Sequence, residues 1–330
     1  MKRHLNFLSV FYHIFGGLRL INKYFYIINY NSERDKELCD LEMKYIFGYV
    51  PEFRHVLSSI DTSPSRSPYI KEKISILYSA SSLEELIKEI KDKATAFENF
   101  KVVYLKSGNL DVSYDERLKA VRTVGMSIKG KADIKNAKVT LGISKIGEEW
   151  IFGLYEKDDF KWHNHDNRPF SYSNALTTTI AKAVVNIAVG NDFSKKIIDP
   201  CCGVGTVLIE ALDLGLDIKG YEINSQIADN AKKNLKYFGF KDVVEERDMT
   251  KSSEKFDAAI LDMPYGLFTA TTEETQKSLL KSARNMAPKL VLIVTQDFDE
   301  YLESIGYNIV DKCTISKNNF KRHILVCEVL

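Results

Sequence analysis

Two stretches of this chain carry residues able to hold a small ligand and act on it. The first is Ile197-Ile198-Asp199-Pro200-Cys201-Cys202-Gly203-Val204-Gly205-Thr206. Apolar strand residues end in an acid, a glycine-rich turn follows, and Thr206 opens a helix. Gly203 and Gly205 permit the tight turn and close backbone approach that a ligand needs. The helix turns its positive end toward the same place. Glu222 ends the next strand about 20 residues later, where an acid binds ribose hydroxyls. Asp248-Met249 ends a third strand, and Asp262-Met263-Pro264-Tyr265-Gly266 ends a fourth. An exocyclic amine on an aromatic ring is a poor nucleophile, because its lone pair is delocalised. It needs acceptors that grip its hydrogens and aim the lone pair, and positioning then supplies much of the rate. The Asp262 loop offers such a grip.

These residues need a frame, and the second half of the chain provides an alternating one. Apolar strands are expected at Lys196 to Pro200, Ile218 to Glu222, Val243 to Arg247, Phe256 to Leu261 and Leu290 to Thr295. Helices are expected at Asn174 to Val189, Thr206 to Leu214, Ser225 to Phe238, Glu273 to Met286 and Phe298 to Ile305. Strands separated by helices imply right-handed crossovers and a parallel, doubly wound sheet. Tyr307 to Ile315 and His323 to Leu330 read as two closing strands with no helix between them. In such a sheet ligands bind beyond the C-terminal strand ends, at the switch point. A dinucleotide-binding fingerprint is incomplete here, because Leu208 stands where a third glycine belongs.

The first half reads as α+β. Lys23 to Asn29 and Phe100 to Leu105 have strand patterns, as do Ala137 to Ile143 and Glu149 to Tyr155. Glu33 to Phe47 and Asp115 to Ile128 read as helices, and Ser82 with Glu85 forms a capping-box start for another. Domain boundaries are expected at 1–22 for an apolar extension, 23–160 for the first domain, 161–174 for a linker and 175–330 for the second domain.

The chain has 330 residues, with 45% hydrophobic and 28% charged residues and a net charge of +1. That excludes a polycation, so any nucleic-acid surface must be a local patch. One such patch runs from Arg117 to Lys145, with Arg117, Lys119, Arg122, Lys129, Lys131, Lys135 and Lys138 against a single acid, Asp133. The five cysteines include no CxxC, which points to reduced thiols in a cytoplasmic protein without a zinc module. Cys201 and Cys202 are expected as packed turn residues, not nucleophiles. His163, His165 and Asp166 are expected as a solvated hinge, with no metal bound. The run from Leu5 to Ile21 resembles a signal peptide but lacks a small-x-small cleavage site, and its length of about 17 residues is short for a membrane span. A second reading takes residues 1–22 as translated upstream sequence with a start at Leu20. Mass spectrometry of the native N-terminus separates the two.

The glycine turn after Asp199 and the Asp262-Met263-Pro264-Tyr265 loop together resemble a class I S-adenosylmethionine (SAM) methyltransferase acting on an amino group. The loop is similar to the [Asn/Asp]-Pro-Pro-[Tyr/Phe] motif of that family, with Met263 at the first proline. The terminal strand pair is typical of the same fold. The resemblance implies that Asp262 accepts one N–H of the amine, the carbonyl of residue 263 accepts the other, and Tyr265 stacks on the base. It implies a SAM pocket formed by Asp199, Pro200, Cys201, Gly203, Gly205, Thr206, Glu222, Ile223, Asp248 and Met249. Phe170, Tyr172 and Thr177 would cover the methionine end. Lys131 to Leu141 resembles the later part of a THUMP domain, with Ala137-Lys138 in place of Pro-Asp. A ferredoxin-like element before it completes the expected first half, and THUMP domains bind structured RNA. The combination resembles the THUMP-domain tRNA guanine-N2 methyltransferases, so tRNA is the expected partner, with no membrane and no obligate protein partner. The alternatives are a 23S rRNA guanine-N2 methyltransferase, a DNA amino-methyltransferase, a protein-glutamine methyltransferase and a non-catalytic RNA-binding relative.

Overall fold

The computed structural model describes residues 23–108, 112–172, 175–264, 272–317 and 320–329. The N-terminal extension and Tyr265 lie outside the described residues. In chain order the elements are β1 (Tyr24–Ile28), α1 (Lys36–Phe47), β2 (His55–Ser58), β3 (Ile70–Ala80), α2 (Leu83–Asp92), β4 (Phe100–Tyr104), α3 (Tyr114–Ser127), β5 (Val139–Ile146) and β6 (Glu149–Lys157). Then follow α4 (Thr178–Val189), β7 (Lys196–Asp199), α5 (Thr206–Asp213), β8 (Asp217–Glu222), α6 (Ser225–Tyr237), β9 (Val244–Glu246) and β10 (Ala258–Asp262). The last are α7 (Glu273–Met286), β11 (Lys289–Val294), α8 (Asp299–Ser304), β12 (Asn308–Lys317) and β13 (Phe320–Glu328).

The chain divides into two compact units. Among the described residues, one comprises 23–29 with Pro51–Asp159, the other Tyr30–Val50 with those from Phe160 onward. The first unit holds a six-stranded sheet in the order β2-β1-β3-β6-β5-β4, antiparallel except for the β4–β5 pair. Its helices start where their caps dictate. Ser82 accepts from the Glu85 amide, and Ser113 with Glu116 forms a full capping box. Leu86 and Ile90 of α2 and Ala120 and Val124 of α3 pack on Phe100, Leu141, Ile143 and Phe152. Strands β2 and β3 were not anticipated. Both complete the sheet by pairing with β1.

The second unit is the expected doubly wound sheet, in the order β12-β13-β11-β10-β7-β8-β9. Strands β7 to β11 pair in parallel, and β13 runs antiparallel to both β11 and β12. Helix α1 belongs to this unit although its sequence neighbours lie in the other. Its Glu42 accepts from the Asn186 amide at 2.6 Å, Tyr45 donates to Asp311 at 2.8 Å, and the Ile46 carbonyl accepts from Asn191 at 2.6 Å. Glu42 and Asn186 are both fully buried, so each supplies the partner the other needs. Helix α4 is buried along nearly its whole length and begins at Thr178, four residues later than expected.

Candidate active site

β7 and β10 are neighbours in the sheet but far apart in sequence, which makes the gap beyond their C-terminal ends the switch point. Asp199 and Asp262 flank it. Asp199 is buried, and its Oδ1 accepts from the Cys201 amide at 3.3 Å. The turn that follows needs glycine: Gly203 has φ +53° and Gly205 φ +85°. A Cβ on Gly203 would stand 2.4 Å from the Tyr172 hydroxyl, so the turn is pressed against the 168–172 segment. Asn234 holds that segment down. Its amide donates to the carbonyls of Val204 and Phe170 at 2.9 Å each, and its Oδ1 accepts from the Phe170 amide at 3.0 Å. Sequence reasoning missed Asn234. Its signal was a polar residue on the apolar face of α6, beside Ala231 and Leu235.

The other pocket candidates follow the strand ends. Glu222 accepts from the Gly203 amide at 3.1 Å and the Asn224 amide at 2.8 Å, which ties β8 to the glycine turn. Helix α6 is capped by Asn224, so Glu222 itself does not cap it. Ile223 is 70% exposed beside Glu222, an apolar side chain facing out at the pocket rim. Asp248 accepts from the Thr250 amide and hydroxyl at 2.9 and 2.7 Å, and these bonds, more than any other cause, hold its carboxyl below the ordinary range. Met249 is buried with its sulfur 3.7 Å from that of Cys201. Thr177 caps α4 by accepting from the Ile180 amide, so its hydroxyl already has a structural task. Thr206 Oγ1 is buried with no hydrogen-bond partner at the mouth of α5. Burial pushes both the Cys201 and Cys202 thiols well up, which makes each a poor nucleophile.

Asp262 differs from all of these. Its Oδ1 is buried with no hydrogen-bond partner. Burial pushes its pKa up to about 7, while the positive charge of Arg322 holds it back. The Tyr172 phenol is raised first by burial and then by Asp262, Glu222 and Asp199. The three carboxylates therefore converge on one ring.

The loop after Asp262 is braced on both sides. The Met263 amide donates to the Ile293 carbonyl at 2.9 Å. The Pro264 carbonyl accepts from Gln276 at 3.3 Å, and Gln276 accepts in turn from Gln296 at 2.6 Å. The Met263 side chain is 2% exposed, among Leu280, Leu292 and Ala259. A proline at 263 has no N–H and could not make the bond to Ile293. Here packing and one backbone hydrogen bond supply the rigidity that a proline ring would otherwise give.

The histidine segment corrects one expectation. Residues 161–167 form a 3-10 turn in which the two histidines differ in exposure. His163 is exposed and stacks on Trp162 at 3.8 Å. His165 is not solvated: it is buried, with Nδ1 2.6 Å from Glu210 and its ring set edge-on to Phe238. His165, Glu210 and Asp213 offer ligand atoms within 4.8 Å of one another. Lys182 Nζ stands 3.3 Å from Glu210 and 3.6 Å from Asp213, so a resident ammonium already meets those carboxylates.

In the first unit, Lys119, Arg122, Lys129, Lys131, Lys135 and Lys138 are exposed. Arg117 is half-buried and lies 6.0 Å from the Tyr104 ring centre and 5.9 Å from that of Tyr114. Asp133 is turned inward on its own loop, accepting from the Lys135 and Asn136 amides, so it is not aimed at the lysines around it.

Residues 165–297 match the family model described as UPF0020, the RMKL-like methyltransferase domain. A tRNA (guanine(10)-N2)-dimethyltransferase from Pyrococcus abyssi is 36% identical over 168 residues, covering 47% of this chain and 50% of the relative. One from Methanothermobacter thermautotrophicus is 28% identical over 215 residues, covering 61% of this chain and 62% of the relative. The chain thus spans half to about three fifths of the length of these relatives. The crystal structure of TrmN from Thermus thermophilus is similar at a TM-score of 0.45 and 14% identity, over 93% of this chain and 100% of that one.

Proposed function

We propose that the protein transfers a methyl group from SAM to the exocyclic N2 amine of a guanine in tRNA, a reading supported by the match of residues 165–297 to the RMKL-like methyltransferase domain. The observation that carries the reading is Asp262: a buried carboxylate oxygen without a partner, at the switch point, on a braced loop. A fold does not leave such an atom unpaired without cost. An amine N–H of the substrate is the partner it lacks.

The residues around the glycine turn fit SAM. Gly203 and Gly205 leave backbone open to the ligand, Glu222 suits ribose hydroxyls, and Thr206 Oγ1 is a buried hydroxyl awaiting a polar partner. Asp248 and Ile223 lie at the successive strand ends where the adenine belongs, and Phe170 and Tyr172 close the methionine side. Bound SAM supplies a methyl group on a sulfonium, open to in-line displacement. The protein's part is to orient the amine. Asp262 and the residue 263 carbonyl hold its two hydrogens, so the lone pair points along the transfer axis. As the new N–C bond forms, the nitrogen becomes positive, and Asp262 takes the proton it sheds. With a pKa of about 7 this carboxylate is a stronger base than an ordinary aspartate.

The substrate class rests on the basic stretch of the first unit and on the tRNA guanine-N2 activity for which the relatives are named. Six exposed cations suit phosphate contacts along a structured RNA. Among the described residues no helix is long and apolar enough to cross a membrane, and the cytoplasm is the compartment that fits a tRNA substrate. The test is methyl transfer from labelled SAM to unmodified tRNA, rRNA and DNA, followed by nucleoside digestion. Label in N2-methylguanosine or N2,N2-dimethylguanosine from tRNA is the expected result. Label only in rRNA or DNA would replace the substrate, and label nowhere would reject the activity.

A further inference from the structure

Asp262 and the 263 carbonyl can grip an amine, but they cannot tell guanine from other bases that carry one. Something must read the rest of the ring edge. In guanine the neighbour of the amine across N1 is O6, a hydrogen-bond acceptor. The natural protein group for a guanine acceptor is an arginine guanidinium.

The sheet places one there. Asp262 pairs with Ile293 of β11, and Ile293 pairs with Ile324 of β13, so the three residues lie in one row across the sheet. Residues in one row point to one face, and side chains two apart on a strand share that face. Arg322 is two residues from Ile324, so it is on the face of Asp262. Because β13 runs antiparallel to β10 and β11, moving from 324 to 322 leads toward the C-terminal ends of those strands, where the substrate loop begins. Val294 is the last residue of β11 and pairs with His323, so Arg322 stands one position beyond the end of that strand. The lateral distance is two strand spacings, about 10 Å. The charge of Arg322 is felt at Asp262. His323 beside it faces the opposite way and is engaged with Thr314 Oγ1 at 3.1 Å.

We propose that Arg322 is a specificity residue that donates to O6 of the target guanine while Asp262 holds N2. This rests on the reading of the protein as a guanine-N2 methyltransferase. An adenine in the same pose would present C2–H in that place, whereas a cytosine would present its O2, so the contact discriminates guanine from adenine.

The test uses the full chain and two RNA substrates. One is a tRNA transcript with guanine at the mapped target; the other carries 2-aminopurine there, which keeps the 2-amine and lacks O6. Wild-type protein should methylate guanine about tenfold to a hundredfold faster in kcat/KM, the range of one good base contact. Arg322→Gln should bring the guanine rate down toward the 2-aminopurine rate and leave the latter nearly unchanged, with SAM affinity retained. Arg322→Lys, which keeps the charge and one donor, should restore part of the discrimination. Equal loss on both substrates, or no loss on either, would overturn the O6 contact and leave Arg322 as a structural residue. If Arg322→Gln does not fold, the Arg322→Lys ratio decides alone: a discrimination equal to wild type rejects a contact that depends on the guanidinium fork. Failure of the wild-type protein to methylate any tRNA guanine is a separate result. It would reject the activity itself, and the O6 contact with it.

Discussion

The second unit buries two acids, Glu210 on helix α5 and Asp262 at the end of β10, and treats them in opposite ways. Glu210 is fully buried and fully engaged: His165 meets one oxygen at 2.6 Å and Lys182 the other at 3.3 Å. Asp262 has a buried oxygen with no hydrogen-bond partner among the described residues. The first arrangement answers the desolvation of a charge within the fold and ties the 161–167 turn to α4 and α5. The second leaves that desolvation unanswered, and its raised pKa is the physical record of it. A paired buried acid here serves architecture, while the unpaired one is kept for something that arrives later.

The sharpest way to break this contrast is to remove each acid's function in turn. Asp262→Ala should lower methyl transfer at least 10²–10³-fold, the scale for deleting one group that stabilises a reacting atom. SAM affinity should stay within a few-fold, because Glu222, Asp248 and the glycine turn remain. A large loss of SAM binding would contradict the assigned role.

Lys182→Met should do the reverse. It leaves the buried Glu210 without its ammonium, and breaking one side of such a buried pair costs about 3–5 kcal/mol. Thermal unfolding should therefore fall by about 10 °C, with the methyl-transfer rate per folded molecule little changed. A change below about 1 kcal/mol by denaturant titration would mean that water replaces the lysine freely, and the paired cluster would lose its architectural role.

A third comparison follows pH. Asp262 is ionised in the unfolded chain above about 4, but in the folded chain only above about 7. Between those values the folded state holds a proton that the unfolded state has released, so rising pH destabilises the fold across this window. Asp262→Asn should abolish that part of the slope. The variant should match wild type near pH 4 and exceed it by a few kcal/mol above pH 7. Activity of the wild type should rise through pH 7 as the carboxylate becomes able to accept and then remove a proton. Asp199, Glu222 and Tyr172 share the pocket, and the neighbouring carboxylates raise Asp199 further. The Asn variant should accordingly bring Asp199 down. Identical pH–stability curves for the two proteins would show that Asp262 is hydrated, not buried.

Much of this site was legible in the chain because its parts are local. The acid–glycine turn, the acids at strand ends and the Asp262 loop each lie within a few residues, and alternation of strands and helices fixes where the strand ends gather. What escaped reading depends on tertiary neighbours. Asn234 clamps Phe170 from 64 residues away, and Arg322 enters through the pairing of β13 with β11. His165 reads as solvated because nothing near it in sequence shows that Glu210 will bury beside it. Helix α1 was legible as a helix, but its destination was not: its apolar face is equally suited to either sheet, and the buried Glu42–Asn186 bond is made with a residue 144 positions away.

The smallest expected effect concerns the first unit, where charges face solvent and no single interaction dominates. Lys129, Lys131 and Lys135 are all exposed, so replacing them with Gln should leave folding within about 0.5 kcal/mol, as for most surface changes. Each RNA phosphate left without its lysine should reduce the slope of log affinity against log salt by about 0.7–0.9. Three together should flatten it by about 2, raise the apparent KM for tRNA about tenfold at moderate salt and leave kcat unaltered. The contrast with Asp262 then becomes kinetic: one residue acts on the chemical step at any RNA concentration, whereas the lysines act only on capture. An unchanged KM and an unchanged salt slope would move the RNA surface elsewhere on the protein. A fall in kcat at saturating tRNA would instead show that these lysines help to hold the target base at Asp262, and the division between capture and chemistry would fail.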